Sequence, residues 1–159
     1  MREVCGPRDQ YPIPTSHRSL PYCFTPKHHS GPRNTNAQWC INRDEEFLVF
    51  NMADVNELED SDKNLFGICV RQEGKRLRLV HLGTKREQIA RFWFESNGSH
   101  WHGHPLWPTL TKQKTNRSNQ AYCPDSIIDL MKAKEIISFA AARKLKRGDE
   151  VSFIKEVEP

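Results

Sequence analysis

The spacing of hydrophobic positions changes character several times along this chain. Up to about residue 40 no period is sustained. Tyr11, Ile13, Leu20, Tyr22 and Phe24 are scattered among Pro7, Pro12, Pro14, Pro21, Pro26 and Pro32. Proline fixes φ and removes a backbone donor, so the segment predicts an extended or disordered arm rather than a helix or a central strand. Tyr11, Tyr22 and Phe24 are its anchors where it lies along the rest of the chain. Phe47, Leu48, Val49 and Phe50 then form a short apolar run, which predicts a buried strand. The surrounding stretch, 44–62, carries Asp44, Glu45, Glu46, Asp54, Glu57, Glu59, Asp60 and Asp62. It reads as a solvated loop with a single helical turn.

Two β-rich runs, 65–71 and 76–82, flank Gln72-Glu73-Gly74-Lys75 and predict a hairpin. Alternation puts Leu77, Leu79 and His81 on one face and Arg76, Arg78, Val80 and Leu82 on the other. Thr84-Lys85-Arg86-Glu87 matches a capping box, which would start a short helix over 88–91. A strand over 91–95 competes with that helix and is preferred. Residues 96–99, Ser-Asn-Gly-Ser, are turn chemistry. The polar, basic run 111–120 reads as a loop. Beyond it the period becomes helical. Pro124 suits a first turn, and Ile127, Ile128, Leu130 and Met131 give an apolar face. A second helix is expected over 139–147 with Ser138 as N-cap, basic residues in its last turn and Gly148 just past its end. Residues 149–154 read as a closing strand.

These elements predict an α+β fold. Its core is a small antiparallel sheet of about four to five strands with a C-terminal helical hairpin packed on one face. The division is a Pro-rich extended or disordered arm over 1–40 and a single compact α+β domain over 41–159.

Composition narrows the class. The chain has 159 residues, 36% of them hydrophobic, and a formal net charge of +4. A mean hydropathy of −0.75 agrees with an arm that adds little to the core. No run of 18 apolar residues is present, so no membrane-spanning helix is expected. An apolar signal region is missing near the start, which gives an intracellular expectation, cytoplasmic or nuclear. In that setting the five cysteines are expected as thiols or ligands rather than disulfides.

The most unusual segment is His100-Trp101-His102-Gly103-His104-Pro105. In an extended chain His100, His102 and His104 share a face. Imidazole is a common ligand, which makes His102 and His104 candidate metal ligands, with zinc as the candidate ion. Geometry opposes a three-histidine site, because the outer two stand about 13 Å apart on a straight strand. Gly103 would have to bend the chain, or His81 or Cys123 would have to join a pair. Without metal, the same histidines, with His81 in support, suit acid–base cleavage of a phosphodiester. The plainer alternative is a packed aromatic segment with locally bonded histidines. Cys5, Cys23, His28, His29 and Cys40 are a second, weaker zinc set, since no Cys-x-x-Cys spacing is present.

Positive charge gathers in three places. They are the hairpin and its sequel (Arg76, Arg78, Lys85, Arg86), the loop (Lys112, Lys114, Arg117) and the last helix (Arg143, Lys144, Lys146, Arg147). Such local clusters are what phosphates meet. Trp93, Trp101 and Trp107 are candidate stacking surfaces for unpaired bases. The leading expectation is a nucleic-acid-binding domain using these three clusters. The alternatives are a phosphodiester-cleaving enzyme, nuclease or toxin-like, centred on the histidines with or without a metal, and a non-catalytic module that binds an unidentified protein.

Overall fold

The computed structural model describes residues 22–24, 28–29, 37–95, 100–106 and 122–157. The order of elements is α1 (Arg43–Val55), β1 (Leu65–Gly67), β2 (Val70–Glu73), β3 (Arg76–Leu79), β4 (Ile89–Glu95), β5 (His100–Leu106), α2 (Asp125–Ala133), α3 (Phe139–Lys146) and β6 (Phe153–Glu156). The class is α+β as expected, but the strands form two antiparallel three-stranded sheets, β1-β4-β5 and β2-β3-β6, instead of one sheet of four or five. The long run 65–71 is the reason. Its first part pairs with β4 and its second part with β3, so one stretch of sequence serves both sheets.

α1 replaces the expected strand and acidic loop. Asn42 caps it: the Asn42 side chain accepts from the Glu45 N–H (2.8 Å), and Glu45 reaches back to the Asn42 N–H. Asp44, Glu45 and Glu46 occupy the first turn, where the helix dipole favours carboxylates. Phe47, Val49, Phe50 and Ala53 are buried, so the apolar run 47–50 is part of a broad helical face. Glu46 and Asp54 are buried as well, within a stretch expected to be solvated.

The capping box at Thr84 starts no helix. Leu82 N–H donates to Glu87 C=O (2.6 Å), and the Glu87 carboxylate accepts from the Lys85 N–H (2.8 Å). Glu87 thus closes a tight loop leading into β4. Pro124 stands at the N-cap position of α2, one residue before the first turn, and makes no side-chain cap. α3 has the expected start, with the Ser138 hydroxyl accepting from the Ala141 N–H (3.1 Å). Gly148 follows the Arg147 cap at a φ of 76°, a conformation glycine takes without strain.

The β1-β4-β5 sheet is a wall between two apolar cores. On one face Leu65, Ala90, Phe92 and Trp101 pack with Tyr22, Phe24 and the inner side of α1. Gly67 lets α1 approach, since a Cβ there would lie 2.6 Å from the Val49 carbonyl oxygen. On the other face Phe66, Ile89 and Leu106 join α2, α3, Leu79 and Ile154. Buried Gln88 ties the two sheets. It donates from Nε2 to Val151 C=O (2.6 Å) and Leu79 C=O (3.3 Å), and its Oε1 accepts from the Val151 N–H (3.0 Å).

Several described residues of the 1–40 segment belong to this core. Tyr22, Cys23, Phe24, His28 and Trp39 are buried, and Cys23 N–H donates to Trp101 C=O (2.7 Å). Tyr11 lies outside the described residues. Cys40, Cys69 and Cys123 are free thiols, as expected, but Cys23 is disulfide-bonded, against expectation. The expectation of thiols rests on the compartment inferred from the missing signal region, not on the residues around Cys23. Among the described residues, no helix is long and apolar enough to cross a membrane.

Candidate functional site: a cationic sheet face and a histidine strand

β5 places the histidines on one face, opposite β4. The pairs are His100 with Glu95, His102 with Trp93 and His104 with Arg91. Pairing runs without interruption from Ile89–Leu106 to Glu95–His100, so Gly103 introduces no bend. Its role is to make room, because a Cβ would stand 2.3 Å from Phe92 Cδ1 and 2.5 Å from the Arg91 carbonyl oxygen. The rings pack along the face in tilted and edge-to-face contacts. Trp93 lies 4.1 Å from His102 and 5.3 Å from His104, and His100 lies 5.4 Å from His102. The Arg91 guanidinium covers Trp93 at 4.9 Å. Burial pulls the Arg91 pKa below the usual arginine value, and the nearby Asp60 and Asp62 oppose that shift.

His100 and His102 are buried, only 2% and 4% exposed, and His104 is half-buried. Sequence reasoning did not bring His28 to this row, yet its ring lies 5.0 Å from that of His104. His28 Nδ1 meets Ala37 C=O at 2.6 Å, and His104 Nδ1 meets Pro105 C=O at 2.8 Å. His81 faces elsewhere, with Nε2 3.8 Å from Glu150 Oε1. Cys123 is buried in the core on the side of α2 and α3, and that burial raises its thiol pKa. Among the described residues, no three or more His, Cys, Asp or Glu side chains are arranged to hold a metal.

Of the expected stacking tryptophans, the two described ones, Trp93 and Trp101, are not presented as open surfaces. Trp101 is buried against Phe50 and Phe94, and Trp93 lies under Arg91 and His102. Trp107, Lys112, Lys114 and Arg117 lie outside the described residues.

The remaining cations divide into paired and unpaired groups. Arg86 forms a two-pronged pair with Glu150, its second contact at 2.8 Å. Lys146 meets Asp129 at 2.5 Å and Arg147 meets Asp149 at 3.1 Å. Arg71 pairs with Glu45, and Arg78 meets Glu73 at 3.4 Å. Lys75, Arg76, Lys85, Arg143 and Lys144 are exposed and make no ion pair among the described residues.

Two of these unpaired cations sit beside exposed aromatic rings that sequence reasoning did not single out. In the β2-β3-β6 sheet, Leu79 and Ile154 point to the core while Arg71, Arg76, Arg78 and Phe153 are exposed on the outer face. Phe153 stands across from Arg78, next to a bulge in the β3–β6 pairing. The Arg76 guanidinium lies 5.0 Å from the Phe153 ring centre. Arg76 stands opposite Glu73 on β2 and Glu156 on β6 in the strand register, without an ion pair to either, so three arginines share this face with two glutamates. On α3, Phe139 is 63% exposed, with Lys132 Nζ at 5.2 Å and Arg143 Cζ at 6.0 Å. Ser138 N–H donates to Ile154 C=O (2.7 Å), so each phenylalanine is one residue from the bond that joins α3 to β6.

Comparison with protein-family profiles, with curated proteins and with solved structures finds no match for this chain.

Proposed function

We propose that this chain is a nucleic-acid-binding domain. Its contact surface is the outer face of β2-β3-β6 together with the exposed side of α3. The observation that carries the reading is the set of exposed cations that make no ion pair among the described residues, Lys75, Arg76, Arg143 and Lys144, two of which, Arg76 and Arg143, lie beside exposed phenylalanines. Backbone phosphates would break no ion pair at these groups, although Arg76 has Glu73 and Glu156 as cross-strand neighbours. The neighbouring Arg86, Lys146 and Arg147 are held by exposed carboxylates, and such pairs are weak enough to open.

The test is a salt titration of binding to a labelled oligonucleotide. Affinity should fall as salt rises, and the double variant Arg76→Gln/Arg143→Gln should lower the slope of log K against log salt by about one per contact removed. Absence of binding at low salt overturns the proposal.

A second reading keeps phosphodiester cleavage at the histidine strand. It rests on His100 Nδ1, which is buried with no hydrogen-bond partner among the described residues, a state that calls for a chemical or a solvent explanation. Cleavage of the same oligonucleotides, lost in His100→Ala while the fold survives, would establish this reading. Intact oligonucleotide after long incubation would remove it.

A further inference from the structure

We infer that the nucleic acid this surface takes is single-stranded, with unpaired bases stacking on Phe153 and Phe139. The inference rests on the nucleic-acid reading above and specifies its ligand.

The argument begins with the rings. Phe153 is 38% exposed and Phe139 63% exposed, although the same elements bury Ile154, Ala141, Ala142 and Leu145. An exposed aromatic ring carries a hydration cost that a stacking partner removes. Each ring already has a cation near it: Arg76 for Phe153, and both Arg143 and Lys132 for Phe139. A guanidinium beside a ring is well placed to meet the phosphate of a nucleotide whose base covers the ring's open face.

The bases of a duplex are stacked on one another and offer their faces to no side chain. A single strand offers every base face, which makes aromatic platforms sequence-tolerant binders of unpaired chains. Major-groove readout of a duplex instead uses a helix or a two-stranded ribbon. α3 has only eight residues, and its inner positions are spent on the core. The outer sheet face is divided between three arginines and two glutamates, so it lacks the strong uniform charge that would hold a duplex by phosphates alone. Stacking is the term left to supply affinity.

The experiment uses the full chain at low salt. Fluorescence anisotropy compares a labelled oligothymidylate of about 15 nucleotides with a duplex of the same length, a length that covers one single-strand site. The single strand should bind at least about tenfold more tightly than the duplex. Phe153→Ala should weaken it by about tenfold or more, and Phe153→Tyr should restore it. Phe139→Ala gives a second, independent loss. Unchanged melting temperatures show that neither exposed ring was needed for folding. Equal binding of duplex and single strand, or full affinity in Phe153→Ala, overturns the single-strand inference and leaves the nucleic-acid reading standing. Binding of neither probe overturns both.

Discussion

Glu46 shows what a single residue can impose on this molecule. It sits in the first turn of α1, fully buried, with Tyr22 OH donating to one carboxylate oxygen (2.5 Å) and His29 Nε2 2.9 Å from the other. Burial raises its pKa above 4.5. The His29 and Tyr22 contacts and the charge of Arg43 pull the other way without cancelling the effect. Tyr22 is in turn pushed well above the ordinary tyrosine value by burial and by the Glu46 charge. The folded state therefore holds the Glu46 proton to higher pH than the unfolded chain does. The stabilisation from this proton is complete below about pH 4.5 and is lost as pH rises through the raised value. A Glu46→Gln variant lacks that loss while keeping an acceptor for Tyr22. Thermal melts of both proteins across the acid range should show the variant gaining on the parent as pH rises above 4.5. A constant difference in melting temperature would mean that Glu46 titrates alike in both states.

At the scale of elements, the sequence was most readable where one period ruled. α3, its Ser138 cap, Gly148, the β2–β3 hairpin and the alternation of histidines along β5 all follow local rules. α1 did not, because Phe47, Leu48, Val49 and Phe50 are consecutive, and such a run suits a buried strand as well as a helix packed on a broad face. Asn42 with Glu45 is a capping-box pair that could have exposed the helix, although Asn is the less usual cap in that motif. The division into two sheets depends on the pairing partners of 65–71 and on Gln88, which are long-range choices that no local pattern records. The candidate surface was half legible. Arg76, Arg78, Arg143 and Lys144 stand out by charge, whereas Phe153 and Phe139 look like core residues until their exposure is known. His28 joined the histidine row through tertiary packing alone.

At the scale of the whole molecule, charge is arranged by neighbourhood more than by total. The net charge of +4 is small, and many surface cations have a carboxylate at hand. The unpaired cations on β2-β3-β6 and α3 therefore matter more to a polyanion than the sum does. The molecule also has two cores, one on each face of the β1-β4-β5 sheet. Tyr22, Phe24 and Trp39 lie in the core on the α1 side of this wall, so these residues of the Pro-rich segment are packed against the rest of the molecule.

The shared wall has a consequence for how the molecule opens. β4 is the central strand of its sheet, bonded on both edges, and its side chains serve both cores: Ile89 one, Ala90 and Phe92 the other. Neither core can be exposed to solvent without disturbing this strand, so the two halves are expected to open as one cooperative unit. In native-state hydrogen exchange, the β4 amides should be the slowest and should report the free energy of global unfolding. The outer strands β2 and β6 should exchange through smaller openings. If amides in α1 and those in α2 instead reached two different plateaus, each below that of β4, the cores would be separable. The wall would then be the last part of the chain to let go, surviving each core in turn.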